Sequence, residues 1–283
     1  MSRIAYVNGQ YVPHGSAQIH VEDRGYQFAD SVYEVCLVVD GKFWDIDGHL
    51  ARLRRSLSEL DIEMPMPESA LRIIMENVRK RNHLKSALIY MQVSRGVAPR
   101  NHLFAKGLVP SVVMTAKRFD LDQSDEKAAK GISIVSQPDI RWGRTDIKTT
   151  GLLANAMAKN AAHEVGAAEA LLVRDGFVTE CSSSNAWIIT KDGVLVTHPK
   201  DHKILGGITR ATAFECAQEL QLSVIERPFT LNEVFAAREV FLTSASSIVM
   251  PVVTVNGRQI GDGAPGPITI RLREAYKAKA RAL

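Results

Sequence analysis

Apolar residues recur along this chain with two spacings, which together predict strands interleaved with helices. Short β-rich runs between turn residues predict strands at residues 4–7, 11–12, 32–39, 87–93, 112–116, 132–136, 170–173, 186–190, 194–197 and 240–243. One buried helix face is predicted by the three-four spacing of four leucines, Leu50, Leu53, Leu57 and Leu60. Similar patterns predict helices around residues 71–78 and over residues 152–164, 209–220 and 268–281.

A polar and charged stretch, residues 119–130, separates the two halves of this pattern. Domain boundaries tend to fall in such stretches. We therefore predict a small N-terminal α/β domain over residues 1–120, a linker over 121–130 and a larger C-terminal domain over 131–283 with a mixed sheet. The predicted fold class is α+β.

Composition narrows the range of partners. The 283 residues are 46% hydrophobic, which is enough for a sizeable core, and their net charge is only +4 without a dense basic block. We therefore expect neither nucleic acid nor a membrane as a partner. The three cysteines are widely spaced, no apolar run approaches the roughly 20 residues that cross a bilayer, and no apolar signal core opens the chain. These features predict a cytoplasmic protein.

Candidate chemistry centres on residues 180–185, Glu-Cys-Ser-Ser-Ser-Asn, between two predicted strands. Taken alone, this run is typical of a solvated turn. Its neighbours add Lys148 upstream and Gly206-Gly207 before a predicted helix downstream. A lysine, a carboxylate and a helix start are what a pyridoxal phosphate site needs.

Each of these features also has an ordinary structural interpretation. In its local sequence Lys148 is no better a candidate than Lys159, and for a glutamate such as Glu180 a surface carboxylate is the commoner case. The glycine pair is typical of a simple helix start, and the hydroxyls of residues 244–247 are as typical of a turn as of an anion site.

Several longer stretches make the interpretation specific. They are residues 22–28, 32–35, 99–102, 139–142, 146–148, 179–185 and 207–210. Through them the chain resembles, over nearly its whole length, the fold type IV pyridoxal-phosphate enzymes of the class IV aminotransferase family. Within that family it is most similar to the D-amino-acid aminotransferases. The resemblance implies pyridoxal 5′-phosphate as cofactor, a homodimer, and transamination between a D-amino acid such as D-alanine and a 2-oxo acid such as 2-oxoglutarate.

The resemblance also implies roles for single residues. Lys148 would bind the cofactor covalently and move the substrate proton, and Glu180 would pair with the pyridine nitrogen. Cofactor contacts are implied for Arg52, Ser183, Ile208, Thr209, Ser244 and Ala245.

A substrate-binding set completes the implied site: Tyr33, Arg100, His102 and Ser182. Tyr33, Arg100 and His102 match a trap for the substrate α-carboxylate, in which Arg100 and His102 reach in from the partner subunit. Arginine suits this role because it grips a carboxylate with two parallel hydrogen bonds. Alternatives of the same fold are a branched-chain L-amino-acid or (R)-amine transaminase and an aminodeoxychorismate lyase. Another alternative is a phosphate-ligand-binding protein that catalyses no reaction.

Overall fold

The computed structural model describes residues 3–282 and divides into two compact units. The first unit holds the described residues up to Asp120 together with Ile147–Gly151. The second holds Leu121–Asp146 and the described residues from Leu152 onward. Each unit carries one sheet with helices packed on it, which confirms the α+β prediction. Residues 1, 2 and 283, at the ends of the predicted domains, lie outside the described residues.

The first unit is built on a six-stranded antiparallel sheet in the order β2-β1-β6-β5-β3-β4. Its strands are β1 (Ile4–Val7), β2 (Gln10–Pro13), β3 (Ser31–Val39), β4 (Lys42–Phe43), β5 (Ala87–Ser94) and β6 (Ser111–Arg118). Its helices are a 3₁₀ turn (His14–Ser16), α1 (Arg24–Phe28), α2 (Ile46–Glu59) and α3 (Glu68–Arg81).

The predicted leucine face of α2 builds the core of this unit. Leu50, Leu53 and Leu57 are fully buried against the sheet, beside Met75 of α3. Burying each such side chain stabilises the fold by about 1.5–3 kcal/mol. Arg54 and Arg55 of the same helix lie exposed and pair with glutamates.

The second unit is built on a larger mixed sheet in the order β12-β11-β10-β14-β15-β7-β8-β9-β13, with β16 paired to β15. Its strands are β7 (Ile132–Pro138), β8 (Glu169–Arg174), β9 (Phe177–Cys181), β10 (Asn185–Ile189), β11 (Leu195–Thr197), β12 (Val224–Glu226), β13 (Phe229–Thr230), β14 (Glu239–Ser244), β15 (Ile248–Val255) and β16 (Arg258–Gln259). Its helices are α4 (Leu121–Lys130), α5 (Leu153–Glu164), α6 (Ile208–Glu219), α7 (Leu231–Ala236) and α8 (Pro267–Ala282). The pairs β7–β8, β7–β15 and β11–β12 are parallel.

The structure differs from the predicted linker over residues 121–130. This stretch is the helix α4 and belongs to the second unit. Although the helix is mostly polar, one side of it packs on the unit: Ala128 is buried, and Asp125 is bound by Arg273 and Lys277 of α8.

Ile147–Gly151 also departs from the predicted domain limits, since it groups with the first unit. Backbone pairing explains this: the Tyr33 amide donates to the Lys148 carbonyl at 3.0 Å, and Thr149 forms a bridge with Val32. Ile147 is buried in the core of the first unit.

Within residues 3–282, every helix is too short or too polar to span a bilayer. All three cysteines, Cys36, Cys181 and Cys216, are buried free thiols.

Candidate active site

Lys148 lies on the short segment that pairs with the start of β3. Its ammonium nitrogen is 4.1 Å from the centre of the Tyr33 ring, within the range of a cation–π contact. Tyr33 in turn stacks on Tyr90, with ring centres 5.6 Å apart. The Lys148 backbone is held by Tyr33 and by the Ser56 hydroxyl. The structure therefore brings two of the predicted site residues, Lys148 and Tyr33, into direct contact.

Arg52, predicted as a cofactor contact, is oriented by a buried carboxylate. It donates to both oxygens of Glu34 at 2.7 Å, a bidentate geometry. His49 lies on the same carboxylate, also at 2.7 Å. Burial raises the pKa of Glu34, but Arg52 and His49 outweigh burial and hold it at about 2. Glu34 is therefore an anion across the physiological range and fixes the plane of the Arg52 guanidinium.

Arg100 and His102 lie on the loop between β5 and β6, beside α1. The Arg100 guanidinium is 4.6 Å from the centre of the Phe28 ring, and the His102 ring centre is 5.5 Å from it. Among residues 3–282, no hydrogen bond, ion pair or ring contact joins either side chain to Tyr33. The trap that the resemblance implies, with Arg100 and His102 from a partner subunit, therefore stays a prediction.

A buried ion cluster anchors this loop. Arg24 donates to the Asn101 carbonyl at 2.6 Å and to Asp30 at 2.7 Å. Arg95 donates to both oxygens of the same Asp30, and the Phe104 ring lies 3.9 Å from its guanidinium. The loop is therefore held at Asn101 by a hydrogen bond and at Phe104 by a cation–π contact.

Glu180, one residue before the end of β9, is a buried carboxylate with several donors. The Asn185 amide donates to one oxygen at 2.9 Å, and the Leu205 amide lies 3.1 and 3.2 Å from the two oxygens. Arg141 makes an ion pair with the other oxygen. Donors on both oxygens favour the charged form of a carboxylate.

A second carboxylate, Asp139, holds Arg141 in place. Arg141 donates to both of its oxygens, at 2.9 and 2.8 Å, and Arg174 and Thr179 donate to it as well. Burial raises the pKa of Asp139, but Arg141 and the Thr179 hydroxyl together outweigh burial and hold it at about 2. Charge therefore alternates along the buried row Arg174, Asp139, Arg141, Glu180.

Ser182 and Ser183 are both bound by a residue outside the predicted site. Their hydroxyls donate to the two oxygens of Glu169, a buried carboxylate at the start of β8. Lys159 pairs with the same carboxylate at 3.1 Å. Because each serine proton is committed to Glu169, both hydroxyls present lone pairs to any ligand.

The start of α6 has the features of an anion site. Gly207 is its N-cap and makes no side-chain cap, and no acceptor for the amides of Ile208 and Thr209 lies among residues 3–282. Unpaired N–H groups and the positive end of a helix attract phosphate and carboxylate groups.

The turn at residues 244–247, between β14 and β15, offers similar donors. Ser247 N–H donates to the Ser244 carbonyl and hydroxyl, whereas the described part of the chain gives no acceptor to the Ala245 and Ser246 amides. The turn therefore presents two N–H groups and serine hydroxyls to an anion.

Sequence reasoning missed the charged residues that hold these side chains, namely Glu34, Asp139, Arg141 and Glu169. Asp139 and Arg141 stand two positions apart in a polar stretch, which is a weak signal for a local ion pair. The sequence carries no such signal for Glu34 or Glu169. Each lies in a strand of mostly apolar residues, and its partner is distant in sequence.

Comparison with known proteins decides the family. The family model described as "Amino-transferase class IV" matches residues 31–255. The chain belongs to the class IV aminotransferase family.

Relatives within the family extend over nearly the whole chain. It is 40% identical to the D-alanine aminotransferase of Bacillus licheniformis over 95% of this chain and 94% of that protein. It is 38% identical to the D-alanine aminotransferase of Staphylococcus haemolyticus over 96% of this chain and 95% of that protein.

Solved structures support the same architecture. A branched-chain amino acid aminotransferase of T.th., solved with pyridoxamine 5′-phosphate, superposes with a TM-score of 0.90 at 26% identity, covering all of this chain and 95% of that one. The branched-chain enzyme of Escherichia coli also gives 0.90, at 24% identity over 99% and 95% of the two chains, and shows the fold alone.

Proposed function

We propose that this protein transfers an amino group between a D-amino acid such as D-alanine and a 2-oxo acid such as 2-oxoglutarate, with pyridoxal 5′-phosphate as cofactor. The observation that carries the proposal is the 40% identity to a D-alanine aminotransferase along nearly the entire chain.

Each unit, taken by itself, carries side chains with the chemistry that this cofactor requires. When bound, pyridoxal phosphate supplies an aldehyde that condenses with amines and a ring that withdraws electrons from the substrate α-carbon. Lys148 would bind the cofactor covalently and move a proton between the substrate α-carbon and the cofactor. The Tyr33 ring under its ammonium group positions that amine.

Glu180 would hold a proton on the pyridine nitrogen through its carboxylate, which is buried and ion-paired with Arg141. The start of α6 and the turn at residues 244–247 would bind the phosphate through N–H groups, and Arg52 would add a fixed cation. Ser182 and Ser183 would accept hydrogen bonds from substrate and cofactor, since Glu169 takes their protons.

The substrate carboxylate would be bound by Tyr33 of one protomer together with Arg100 and His102 of its partner in a homodimer. Two features support this arrangement. Arg100 and His102 make no contact with Tyr33 within the described chain, and large apolar side chains around their loop are strongly exposed, at 76% for Leu103 and 72% for Tyr26. The buried free thiols support a reducing cytoplasm as the location.

Branched-chain transamination is the second candidate, favoured by the high structural similarity to branched-chain enzymes. Identity to those enzymes is 24–26%, against 40% to the D-alanine relative. Fold is shared across reactions, so it discriminates poorly between them.

The test is a paired assay on purified protein supplied with the cofactor. We expect D-alanine with 2-oxoglutarate to yield pyruvate, and D-alanine to bleach the visible absorption of the bound cofactor. L-alanine and L-leucine should do neither. If an L-amino acid bleaches that absorption and D-alanine does not, the D-specific proposal is wrong and the branched-chain alternative gains support.

A further inference from the structure

The turn at residues 244–247 is followed by a residue in an unfavourable backbone conformation. Ile248 has φ +62°, in the left-handed region, and its side chain is fully buried. A β-branched residue rarely adopts this region, because its Cβ branches crowd the backbone. Something in the surrounding structure must therefore hold Ile248 in place.

Arg273 of α8 supplies that support. One of its terminal nitrogens donates to the Ser247 carbonyl at 2.9 Å and to the Val249 carbonyl at 2.8 Å. These two carbonyls flank Ile248 on either side. A single guanidinium nitrogen thus bridges the backbone across the left-handed residue.

The rest of the guanidinium is fixed by α4. Its other nitrogens donate to Asp125 at 2.9 and 3.0 Å and to the Ser124 hydroxyl at 2.9 Å. Lys277 binds the second Asp125 oxygen at 2.7 Å. Arg273 is only 4% exposed, so its hydrogen bonds are shielded from water and its orientation is set by its protein partners.

We propose that Arg273 is a positioning residue for the cofactor phosphate: it holds the Ser244–Ser247 turn in the shape that presents the Ala245 and Ser246 amides to that anion. The inference rests on the proposed function, because the phosphate is that of pyridoxal phosphate. Arg273 does not contact the phosphate itself. It acts through the turn, and its effect is confined to the phosphate end of the ligand.

Arg273→Lys tests this role, with Arg271→Lys on the same helix as the matched control because Arg271 is exposed. Lysine keeps the charge near Asp125, but it lacks the planar fork that bridges two carbonyls and a carboxylate at once. The apo form of each protein is titrated with pyridoxal phosphate and with pyridoxal, which has no phosphate. We expect Arg273→Lys to weaken pyridoxal phosphate binding by about tenfold or more. A loss of this size corresponds to one hydrogen bond to a charged group. Pyridoxal binding should stay unchanged, and Arg271→Lys should match the wild type for both ligands.

Each other outcome overturns the inference in a recognisable way. Equal losses for pyridoxal and pyridoxal phosphate would show that Arg273 only supports the fold. Wild-type affinity in Arg273→Lys would show that the turn does not need it. If the wild-type protein bound pyridoxal phosphate no better than pyridoxal, the proposed function would fail together with the inference. Should circular dichroism show Arg273→Lys to be unfolded, Asp125→Asn replaces it, because it frees the guanidinium without removing it. The same phosphate-specific loss is then expected, and its absence counts against the role.

Discussion

At the scale of single residues, the candidate site is a set of reactive groups, each held by a buried partner of opposite charge or by a ring. Tyr33 lies under Lys148, Glu34 binds Arg52, and Arg141 binds Glu180. Such partners fix the orientation of each group, so the consequences of removing a group can be stated separately for binding and for chemistry.

Lys148→Ala should abolish transamination. The variant loses both the covalent link to the cofactor and the base that moves the α-proton, so we expect the rate to fall by at least about 1,000-fold. Borohydride treatment followed by mass spectrometry should find no covalently attached cofactor. Lys127→Ala, at an exposed position on α4, is the control and should keep both properties. Covalent cofactor in the Lys148 variant would assign the attachment to another lysine.

Glu180→Gln should slow the reaction while leaving the cofactor bound. The amide can still accept a hydrogen bond from the Leu205 amide, but it cannot stabilise a positive charge on the pyridine nitrogen. We expect kcat to fall by about 10²–10⁴-fold, as for the loss of a proton-holding group, with little change in cofactor affinity. Steady-state kinetics and a cofactor titration separate the two quantities. An unchanged kcat would remove Glu180 from the mechanism.

At the scale of secondary-structure elements, the start of α6 and the Glu180 cluster are coupled through one glycine. A Cβ built on Gly207 would lie 2.0 Å from the Asn185 side-chain oxygen, far inside van der Waals contact. Asn185 is the residue whose amide donates to Glu180 and to the Leu205 carbonyl. A side chain at position 207 therefore displaces a partner of the predicted catalytic carboxylate.

Gly207→Ala should lower both cofactor affinity and kcat, because it disturbs the helix start and Glu180 together. Gly206→Ala is the matched control, since its Cβ would meet only the flexible end of Lys200, at 2.9 Å. We expect Gly206→Ala to stay within about threefold of the wild type and Gly207→Ala to lose about tenfold or more in cofactor affinity. Equal behaviour of the two variants, measured by cofactor titration and steady-state kinetics, would contradict the coupling.

The sequence pattern predicted the long elements well, because the buried face of a long helix or strand repeats apolar residues at a regular spacing. The leucines of α2 and the apolar run of β3 are visible without any structure. Elements such as α1 and β9 escaped, because their sequences, RGYQF and FVTEC, mix polar and apolar residues without an apolar run. The polar stretch at 121–130 was wrongly predicted as a linker. The helix α4 that it forms is held by the bonds of Asp125 to Arg273 and Lys277, which are remote in sequence.

The site was predicted by motif, whereas its supporting charges were not. Lys148, Glu180 and the glycines before α6 stand in recognisable stretches. Glu169 binds Ser182 and Ser183 only because β8 and β9 pair in the observed register, and Glu34 meets Arg52 only because α2 packs on β3. Such contacts depend on tertiary structure that a single sequence does not display.

At the scale of the whole molecule, Glu34 ties stability to pH. Its pKa is held at about 2 in the folded chain, below its ordinary 4.5. A carboxyl with a lowered pKa stabilises the fold above its unfolded-state pKa and loses that contribution as pH falls through its folded-state pKa. The loss therefore begins near pH 4.5 and continues toward pH 2, and it amounts to about 3 kcal/mol in total.

Glu34→Gln should flatten this dependence. We expect the free energy of unfolding of the wild type to fall more steeply between pH 5 and pH 3 than that of the variant, although the variant is less stable at neutral pH because Arg52 loses its anion. Denaturant titrations across this range give the comparison. Glu63→Gln, at an exposed position, should keep the wild-type slope. A Glu34 variant with the wild-type slope would assign the acid sensitivity to other groups.

In the proposed carboxylate trap, Arg100 comes from a second protomer, so activity should depend on which subunits form the dimer. Lys148→Ala and Arg100→Ala subunits should each form dimers with little or no D-alanine activity. In a mixed dimer, one site combines an intact Lys148 with an intact Arg100 from the other subunit. Random mixing of equal amounts makes half of all dimers mixed, each with one working site of two, so about a quarter of wild-type activity should return after co-refolding.

The alternative geometry makes the opposite prediction, which is what makes the experiment decisive. If Arg100 served the site of its own chain, every subunit in the mixture would lack either its lysine or its arginine, and no activity would return. Because Arg24 holds the Asn101 carbonyl and Arg95 contacts the Phe104 ring, Arg100→Ala should leave the backbone of the loop in place. Loss of activity in that variant therefore reports the missing guanidinium, and its recovery in the mixed dimer reports which chain supplies it.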